Sequence, residues 1–186
     1  RGLNPHIQDI ARRLALDGFL AFAVDMLSPL GGTPADEDKA RDMIGTLNGD
    51  ETGRRIAAAV PFLEKHVEST GKVGVVGFCL GGRLAYMAAA RTDVDASVGY
   101  YGVMIDQMLG EAHAIARPLL LHVPTADHFV GPDAQQAMHE ALDPHPRVTL
   151  YDDPGLDHGF AASSGGRRNE EGARLADSRT HEFFAE

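Results

Sequence analysis

Tryptophan is absent from this chain of 186 residues, cysteine occurs once, and the aromatic residues make up only 6% of the sequence. A single cysteine cannot form a disulfide within the chain, so the fold depends on packing rather than on cross-links. With 44% apolar residues, we expect a mainly aliphatic core in a chain of ordinary domain size. No apolar run reaches the ~18 residues of a membrane-spanning helix, so the sequence predicts no membrane partner.

Positive charge is also scarce, since 17 Lys and Arg stand against 27 Asp and Glu and leave a formal net charge of −10. The pair Arg167 and Arg168 is followed closely by Glu170 and Glu171, and no longer basic run occurs. Binding to nucleic acids requires clustered cations that face the phosphates. We therefore expect no nucleic-acid partner. We also expect a cytoplasmic protein, or a periplasmic one if a signal peptide precedes the given chain.

The lone cysteine, Cys79, lies between a predicted strand and a predicted helix. Residues 73–76 form an apolar run, residues 77–82 read GFCLGG, and residues 83–90 have a helical pattern. A nucleophile on a tight strand-to-helix turn needs small neighbours, because a Cβ on either flank would clash. The helix N-terminus also favours thiolate over thiol. Free cysteine is commonly a small core residue, but core packing does not require glycines on both sides, so we interpret Cys79 as a nucleophile.

Two further predicted strands supply the partners of this nucleophile. Residues 118–123 form a continuous apolar run, typical of a strand buried on both faces, and Asp127 follows it. Residues 147–151 predict another strand, and the loop behind it carries His158. The chain order nucleophile, acid, histidine is that of α/β-hydrolase triads, and open α/β sheets bind ligands at these strand ends. The predicted catalytic residues are therefore Cys79, Asp127 and His158.

Each predicted catalytic residue has a chemical role. Cys79 would attack the carbonyl carbon of an acyl substrate and form an acyl-enzyme. His158 would take the thiol proton and later activate water, while Asp127 would hold the imidazole in the productive tautomer. The backbone N–H of Leu80 would be one donor of the oxyanion hole.

Other histidines and aspartates compete for these roles. His122 lies inside an apolar strand and is expected in the core. Asp25 ends an earlier predicted strand and is the strongest competitor of Asp127, although we favour a local capping role for it. Three more aspartates are too close to His158 to come from a separate strand end, so we interpret them as turn or solvation residues. These are Asp152, Asp153 and Asp157.

These segments resemble the dienelactone hydrolase family, the carboxymethylenebutenolidase-like α/β-hydrolases. The resemblance extends over nearly the whole chain, and its segments are residues 1–15, 22–25, 72–82, 97–102 and 174–184. It implies an α/β-hydrolase fold with a mostly parallel, doubly wound sheet. It also implies hydrolysis of a small-molecule ester or lactone by a Cys-His-Asp triad, without a cofactor or metal, in a monomer or homodimer.

The same resemblance implies two departures from the family. Its members carry further strands, a glutamate and a second oxyanion donor ahead of the segment that opens this chain. We therefore expect residues 1–186 to be a single domain that is incomplete at its N-terminus. Arginines bind the substrate carboxylate in this family, and Arg41 matches one of them, with a solvated helix face as its equal alternative. The second position is Ala162, which favours a less charged substrate, and Tyr100 is a further candidate for the substrate pocket.

The remaining pattern predicts alternating strands and helices, and hence parallel βαβ units. We expect a buried strand at residues 19–24, with a loop after it. Pro61 is expected to kink the third helix. The predicted helices are residues 4–17, 36–47, 51–69 and 170–184.

Three other functions stay open at this point. A dinucleotide site is disfavoured, because the glycine-rich turn lacks G-x-G-x-x-G and the next predicted strand ends without an acid. A metal site would have to use His122, Asp127, His128 and His158, which lack the usual ligand spacing. A non-catalytic small-molecule-binding protein on the same fold is the main alternative, because a fold does not determine a function.

Overall fold

The computed structural model describes residues 2–163 and 166–186, and its contacts divide the chain into two compact units. The first unit is Arg1–Gly71 and the second is Lys72–Glu186. Arg1, which opens the segment that resembles the family, lies outside the described residues. The expectation of a single domain stays a prediction.

The first unit contains three α-helices joined by loops. They are α1 (Pro5–Leu16), α2 (Glu37–Gly45) and α3 (Gly49–Glu64). Each helix begins behind a residue whose side chain accepts backbone N–H groups of the first turn, namely Asn4, Asp36 and Asn48. Such N-caps satisfy N–H groups that have no partner within the helix. The three predicted helices are confirmed, although α3 ends at Glu64 instead of continuing to residue 69.

The strand predicted at residues 19–24 is wrong. The segment belongs to no strand, and Phe19 and Phe22 are 45% and 51% exposed. An apolar run becomes a buried strand only where a neighbouring strand pairs with its N–H and C=O groups. In the described part of the first unit no such strand exists. Asp25 caps the following loop, as expected, because its carboxylate accepts the N–H groups of Leu27 and Thr33 at 2.9 and 3.0 Å.

The second unit is built on a parallel sheet of four strands in the order β1-β2-β3-β4. The strands are β1 (Gly74–Phe78), β2 (Ala96–Tyr100), β3 (Leu119–Pro124) and β4 (Val148–Asp153). Helices return the chain between parallel strands, because such strands need long crossover connections. These helices are α4 (Leu80–Arg91), a 3₁₀ helix (Asp106–Ala114) and α5 (Pro132–Leu142), and α6 (Glu170–Ala185) follows the last strand.

Helices cover both faces of this sheet. On one face, Val98, Tyr100 and Leu120 pack with Phe160 and with small residues of α6. On the other face, α4 lies against β1 and β2. The fold is therefore a doubly wound α/β structure, as predicted. Among the helices of the described residues, none has both the length and the apolar character needed to cross a membrane.

Candidate active site

Cys79 occupies the turn between β1 and α4, in a backbone conformation that L-residues rarely adopt. Its φ is 58° and its ψ is −117°. Such a conformation costs on the order of 1–3 kcal/mol and persists only where the surroundings enforce it. Here the Cys79 N–H donates to the carbonyl of Tyr100 at 3.0 Å, and the Cys79 carbonyl accepts the N–H of Gly82 at 3.0 Å. These bonds hold the half-buried thiol at the carboxyl edge of the sheet.

The glycines around Cys79 allow the backbone to approach this closely. A Cβ on Gly77 would overlap the carbonyl group of Gly81. A Cβ on Gly82 would lie 2.7 Å from the Cα of Gly102, on the segment behind β2. A Cβ on Gly81 would meet nothing within 4 Å. The predicted clash on both flanks of the cysteine is therefore confirmed for Gly77 and Gly82, while Gly81 contributes only its backbone.

Asp127 lies in the turn that follows β3, and its side chain is fully buried. One carboxylate oxygen accepts the backbone N–H groups of Phe129 and Val130 at 2.8 and 3.2 Å. The other oxygen accepts from Nδ1 of His158 at 3.0 Å. A buried carboxylate is tolerated when hydrogen-bond donors surround it, and these three donors also fix its orientation.

His158 lies in the loop after β4 and contacts both other members of the predicted triad. Its Nδ1 is bonded to Asp127, which leaves Nε2 for the hydrogen bond with the Cys79 sulfur. Burial alone would lower the pKa of His158. The hydrogen bonds with Asp127 and Cys79 outweigh burial and raise this pKa to about 9. The imidazole therefore favours its protonated form at neutral pH.

The pKa of the Cys79 thiol is lowered, in contrast to that of His158. Burial alone would raise its pKa, but the hydrogen bond and positive charge of His158 lower it, with a further contribution from the Leu80 N–H. The N-terminus of α4, directly behind the sulfur, acts in the same sense. The site therefore favours a thiolate–imidazolium pair, the state in which a cysteine is nucleophilic.

Aromatic rings surround the imidazole. The ring centroids of Tyr101 and Phe129 lie 5.0 and 4.6 Å from that of His158. Phe129 is 61% exposed, and the guanidinium of Arg167 lies 5.9 Å from its ring centroid. An apolar, partly cationic surface therefore borders the base on its solvent side.

The sequence offered two further site residues, Tyr100 and Arg41. Tyr100 is buried in the core, and its hydroxyl is hydrogen-bonded to Asp177 at 3.0 Å and to Thr180 at 2.7 Å. This placement gives it no open surface, so we leave it out of the proposed substrate site. Arg41 lies in α2 of the first unit, where its exposed guanidinium pairs with Asp38 at 3.2 Å. Its role as a substrate ligand stays a prediction.

The sequence-based interpretation of Asp157 missed its main contacts. One oxygen of Asp157 accepts from Nδ1 of His128 at 2.6 Å and from the backbone N–H of His158 at 2.6 Å. The signal in the sequence was a repeated Asp-His dipeptide, at residues 127–128 and 157–158, behind two neighbouring strands. Ligand atoms of Asp127, His128 and Asp157 lie within 4.8 Å of one another, and all three residues take part in the hydrogen bonds described above.

His122 lies within β3 and is 1% exposed, as predicted for a core residue. Its Nε2 is 3.2 Å from the hydroxyl of Thr180, and its Nδ1 is 3.6 Å from Asp153 at the end of β4. It therefore belongs to a buried polar cluster beneath α6 and not to the metal site that the sequence left open.

Comparison with known proteins agrees with this architecture. The sequence model of the dienelactone hydrolase family matches residues 1–186. Carboxymethylenebutenolidases of Pseudomonas sp. strain P51 and Pseudomonas putida are each 32% identical to this chain. The matches cover 98% and 99% of this chain and 79% and 81% of those proteins.

A solved structure from Klebsiella pneumoniae, assigned to the dienelactone hydrolases, superposes with a TM-score of 0.90. It is 23% identical in sequence, and the match covers all of this chain and 82% of that one. This likeness supports the α/β-hydrolase fold. The chain therefore belongs to the dienelactone hydrolase family.

Proposed function

We propose that this hydrolase cleaves a small-molecule ester or lactone through an acyl-enzyme on Cys79. The observation that carries the proposal is the continuous hydrogen-bond chain from the sulfur through His158 to Asp127, set on a strained strand-to-helix turn. Such a turn exposes the nucleophile at the edge of the sheet where α/β proteins bind their ligands.

In the acylation step, the Cys79 thiolate attacks the carbonyl carbon of the substrate. The carbonyl electron pair moves to the oxygen, and in this proposal the Leu80 N–H at the start of α4 donates to the resulting oxyanion. When the tetrahedral intermediate collapses, the C–O bond to the leaving alkoxide breaks. The imidazolium of His158 gives its proton to that alkoxide, which leaves as an alcohol, or stays attached as a hydroxyl group if the substrate is a lactone.

In the deacylation step, the neutral His158 takes a proton from water, and the hydroxide attacks the thioester carbonyl. Collapse of the second intermediate breaks the C–S bond and releases a carboxylic acid. The sulfur leaves as a thiolate, and His158 is again an imidazolium. Asp127 holds the ring in one tautomer throughout, because its Oδ2 binds Nδ1 and leaves only Nε2 to exchange protons.

The substrate class follows from the family together with the site. Relatives at about one-third identity are named carboxymethylenebutenolidases, which supports a lactone or an activated ester. Phe129 and Arg167 offer an apolar and a cationic surface next to the base. Ala162 replaces one of the two arginines expected from the family resemblance, and we propose Arg41 as the remaining ligand of a substrate carboxylate.

The lone cysteine makes a direct test available. The protein is titrated with up to one equivalent of a thiol alkylator while p-nitrophenyl acetate hydrolysis and the mass of the Cys79 peptide are followed. We expect activity to fall in proportion to the labelling of Cys79. Hydrolysis that survives full labelling, or an unlabelled protein with no hydrolytic activity, would contradict the proposal, and the latter would favour a binding protein.

A further inference from the structure

Two loops at the carboxyl edge of the sheet each carry an aspartate followed by a histidine. The loop after β3 carries Asp127 and His128, and the loop after β4 carries Asp157 and His158. The structure pairs them crosswise. His158 bonds to Asp127 at 3.0 Å, and His128 bonds to Asp157 at 2.6 Å. Only the first pair enters the mechanism described above, which leaves the second without an assigned role.

The second pair is tied directly to the catalytic base. A single oxygen of Asp157 accepts three donors: Nδ1 of His128 at 2.6 Å, the N–H of His128 at 3.1 Å and the N–H of His158 at 2.6 Å. The hydrogen bond from the His128 ring, followed by those from the backbone, holds the pKa of Asp157 at about 2. Asp157 is therefore ionised whenever the enzyme is folded near neutral pH, and it bridges the two loops at the peptide group of the base.

The rings of the two histidines are coupled through Phe129. Its centroid lies 4.2 Å from the His128 ring and 4.6 Å from the His158 ring, and the two imidazoles are 6.1 Å apart. A change in the position of His128 would therefore be transmitted to the exposed side of the catalytic imidazole by direct contact.

Other bonds hold the bases of the two loops together independently of this pair. The Ala126 N–H donates to the carbonyl of Leu156 at 2.9 Å, and the Gly155 N–H donates to the hydroxyl of Thr125 at 2.9 Å. Apart from the bond between Asp127 and His158 itself, the pair of Asp157 and His128 is the side-chain bond between the loops that lies beside the imidazole, and both side chains are 42% exposed. Its loss would therefore loosen the ring of His158 before it loosened the loops.

We propose that Asp157 and His128 form a clasp that positions the His158 ring between Asp127 and Cys79. Both are positioning residues, since neither touches the sulfur or the reacting carbonyl. The inference rests on the proposed function, because a clasp on His158 matters only if His158 is the base. It predicts that the position of the His158 ring depends on the hydrogen-bond acceptor oxygen of Asp157 more than on the negative charge of Asp157.

The test compares Asp157→Ala with Asp157→Asn, and His128→Ala with His128→Asn. In each Asn variant the side-chain amide offers a polar atom in place of the Asp157 oxygen or the His128 Nδ1 that forms the hydrogen bond between the loops. The matched control is Asp152→Ala, because Asp152 also bonds a histidine, His139, at 2.9 Å, but without contact to the triad. Besides kcat and KM for p-nitrophenyl acetate, the rate of Cys79 alkylation is measured against pH. That rate reports the thiolate, and thus the hydrogen bond from His158, without any turnover.

We expect Asp157→Ala to lower kcat about 10-fold with little change in KM, because small misplacements of a catalytic group cost rate rather than binding. Its alkylation profile moves to higher pH, and Asp157→Asn restores most of both properties. The charged and titratable groups around the clasp are Asp127, His158 and Arg167, and all stay unchanged in these variants.

The clasp is disproved if Asp157→Ala keeps the kcat and the alkylation profile of the unmodified protein. It is equally disproved if Asp157→Ala and Asp152→Ala lose the same activity, since that would indicate a general loss of stability. If Asp157→Ala does not fold, His128→Ala decides the question, because it leaves the bond between Asp157 and the His158 N–H intact. Failure of the proposed function would be recognised by a different result. The wild-type protein would still hydrolyse p-nitrophenyl acetate after Cys79 is alkylated.

Discussion

Strands β3 and β4, with the loops that follow them, carry two histidine–aspartate pairs of the same composition but with different hydrogen bonds. Within the sheet, His122 on β3 faces Asp153 on β4, and both side chains are fully buried. At the edge, Asp127 follows β3 and His158 follows β4, so here the aspartate belongs to β3 and the histidine to β4. Both pairs are buried, so burial does not distinguish them.

The two pairs differ in their hydrogen bonds. In the edge pair both oxygens of Asp127 have donors, and the ring of His158 reaches from the carboxylate to the sulfur. In the core pair Nδ1 of His122 and Oδ2 of Asp153 are 3.6 Å apart, and neither atom has a hydrogen-bond partner among the residues that the structure describes. On the proposed mechanism a catalytic pair needs a complete set of donors and a nucleophile within reach, and of these two pairs the edge pair has both.

The largest effect should separate the two histidines. We expect His158→Gln to lower kcat/KM by at least about 10³-fold, because it removes the group that exchanges protons with sulfur, leaving group and water. His122→Gln should keep a kcat within a few-fold of normal. Steady-state hydrolysis of p-nitrophenyl acetate measures both. Equal losses in the two variants, at equal thermal stability, would show that the core pair takes part in catalysis.

The second effect concerns the two aspartates and pH. The pKa of about 9 for His158 depends on Asp127, so activity should fall as pH rises through that value and the imidazolium is lost. Asp127→Asn removes the negative charge beside His158, so the fall of activity at alkaline pH should begin at a lower pH. In the same variant kcat near neutral pH should fall about 10²-fold or more. A pH profile of kcat/KM checks both. Asp153→Asn should not change the pH at which activity falls on the alkaline side. A shift of that pH in Asp153→Asn would contradict the role given to Asp127.

The third effect concerns the turn between β1 and α4, which places Cys79 next to the edge pair and not next to the core pair. Gly77→Ala should destabilise the protein by about 3 kcal/mol, because its Cβ overlaps the carbonyl of Gly81 and the backbone must move. Gly81→Ala is the matched control, with open space around its Cβ, and should be neutral or slightly stabilising in a helix. Denaturant unfolding measures both variants. Equal stabilities would show that the turn between β1 and α4 has room for a side chain at Gly77.

The smallest effect concerns a histidine–aspartate cluster on the surface, with a partly exposed histidine. His139 on α5 lies between Asp143 and Asp152, at 3.0 and 2.9 Å. Burial opposes charge on its ring, but the two carboxylates prevail and raise its pKa above 6.5. Its contribution to stability is therefore complete below that unfolded value and is lost as pH rises through the higher folded one.

Thermal melts at several pH values, with His139→Gln as the variant, measure this contribution. The difference in Tm between the two proteins should shrink from acidic to alkaline pH and stay small throughout, since exposed pairs are worth little. A difference that grew with pH would contradict the assigned direction.

The sequence was a good guide to the second unit for a physical reason. Its strands are continuous apolar runs, because they are buried on both faces, and the glycines around Cys79 mark a turn that only small residues can form. Chain order then placed Asp127 and His158 at the ends of neighbouring strands. Local patterns and parallel topology together therefore predicted the triad's proximity.

Sequence reasoning was weaker where a residue's role depends on contacts across space. The apolar run at residues 19–24 satisfies the pattern of a strand, but no described strand of its unit pairs with it. Tyr100 was a candidate for the pocket, yet the alternation of side chains along β2 turns it towards α6 and Thr180. Asp157 was interpreted as a turn residue, because nothing local shows that His128 lies 2.6 Å away.

The central claim is that Cys79 carries the acyl group during turnover, and the most direct measurement traps it there. The protein is mixed with excess p-nitrophenyl acetate, quenched with acid within the first turnovers, and digested for peptide mass analysis. We expect an acetyl thioester on Cys79 that forms with the burst of nitrophenolate and disappears as substrate runs out. Steady hydrolysis with no acetylated Cys79 peptide at any time would contradict it.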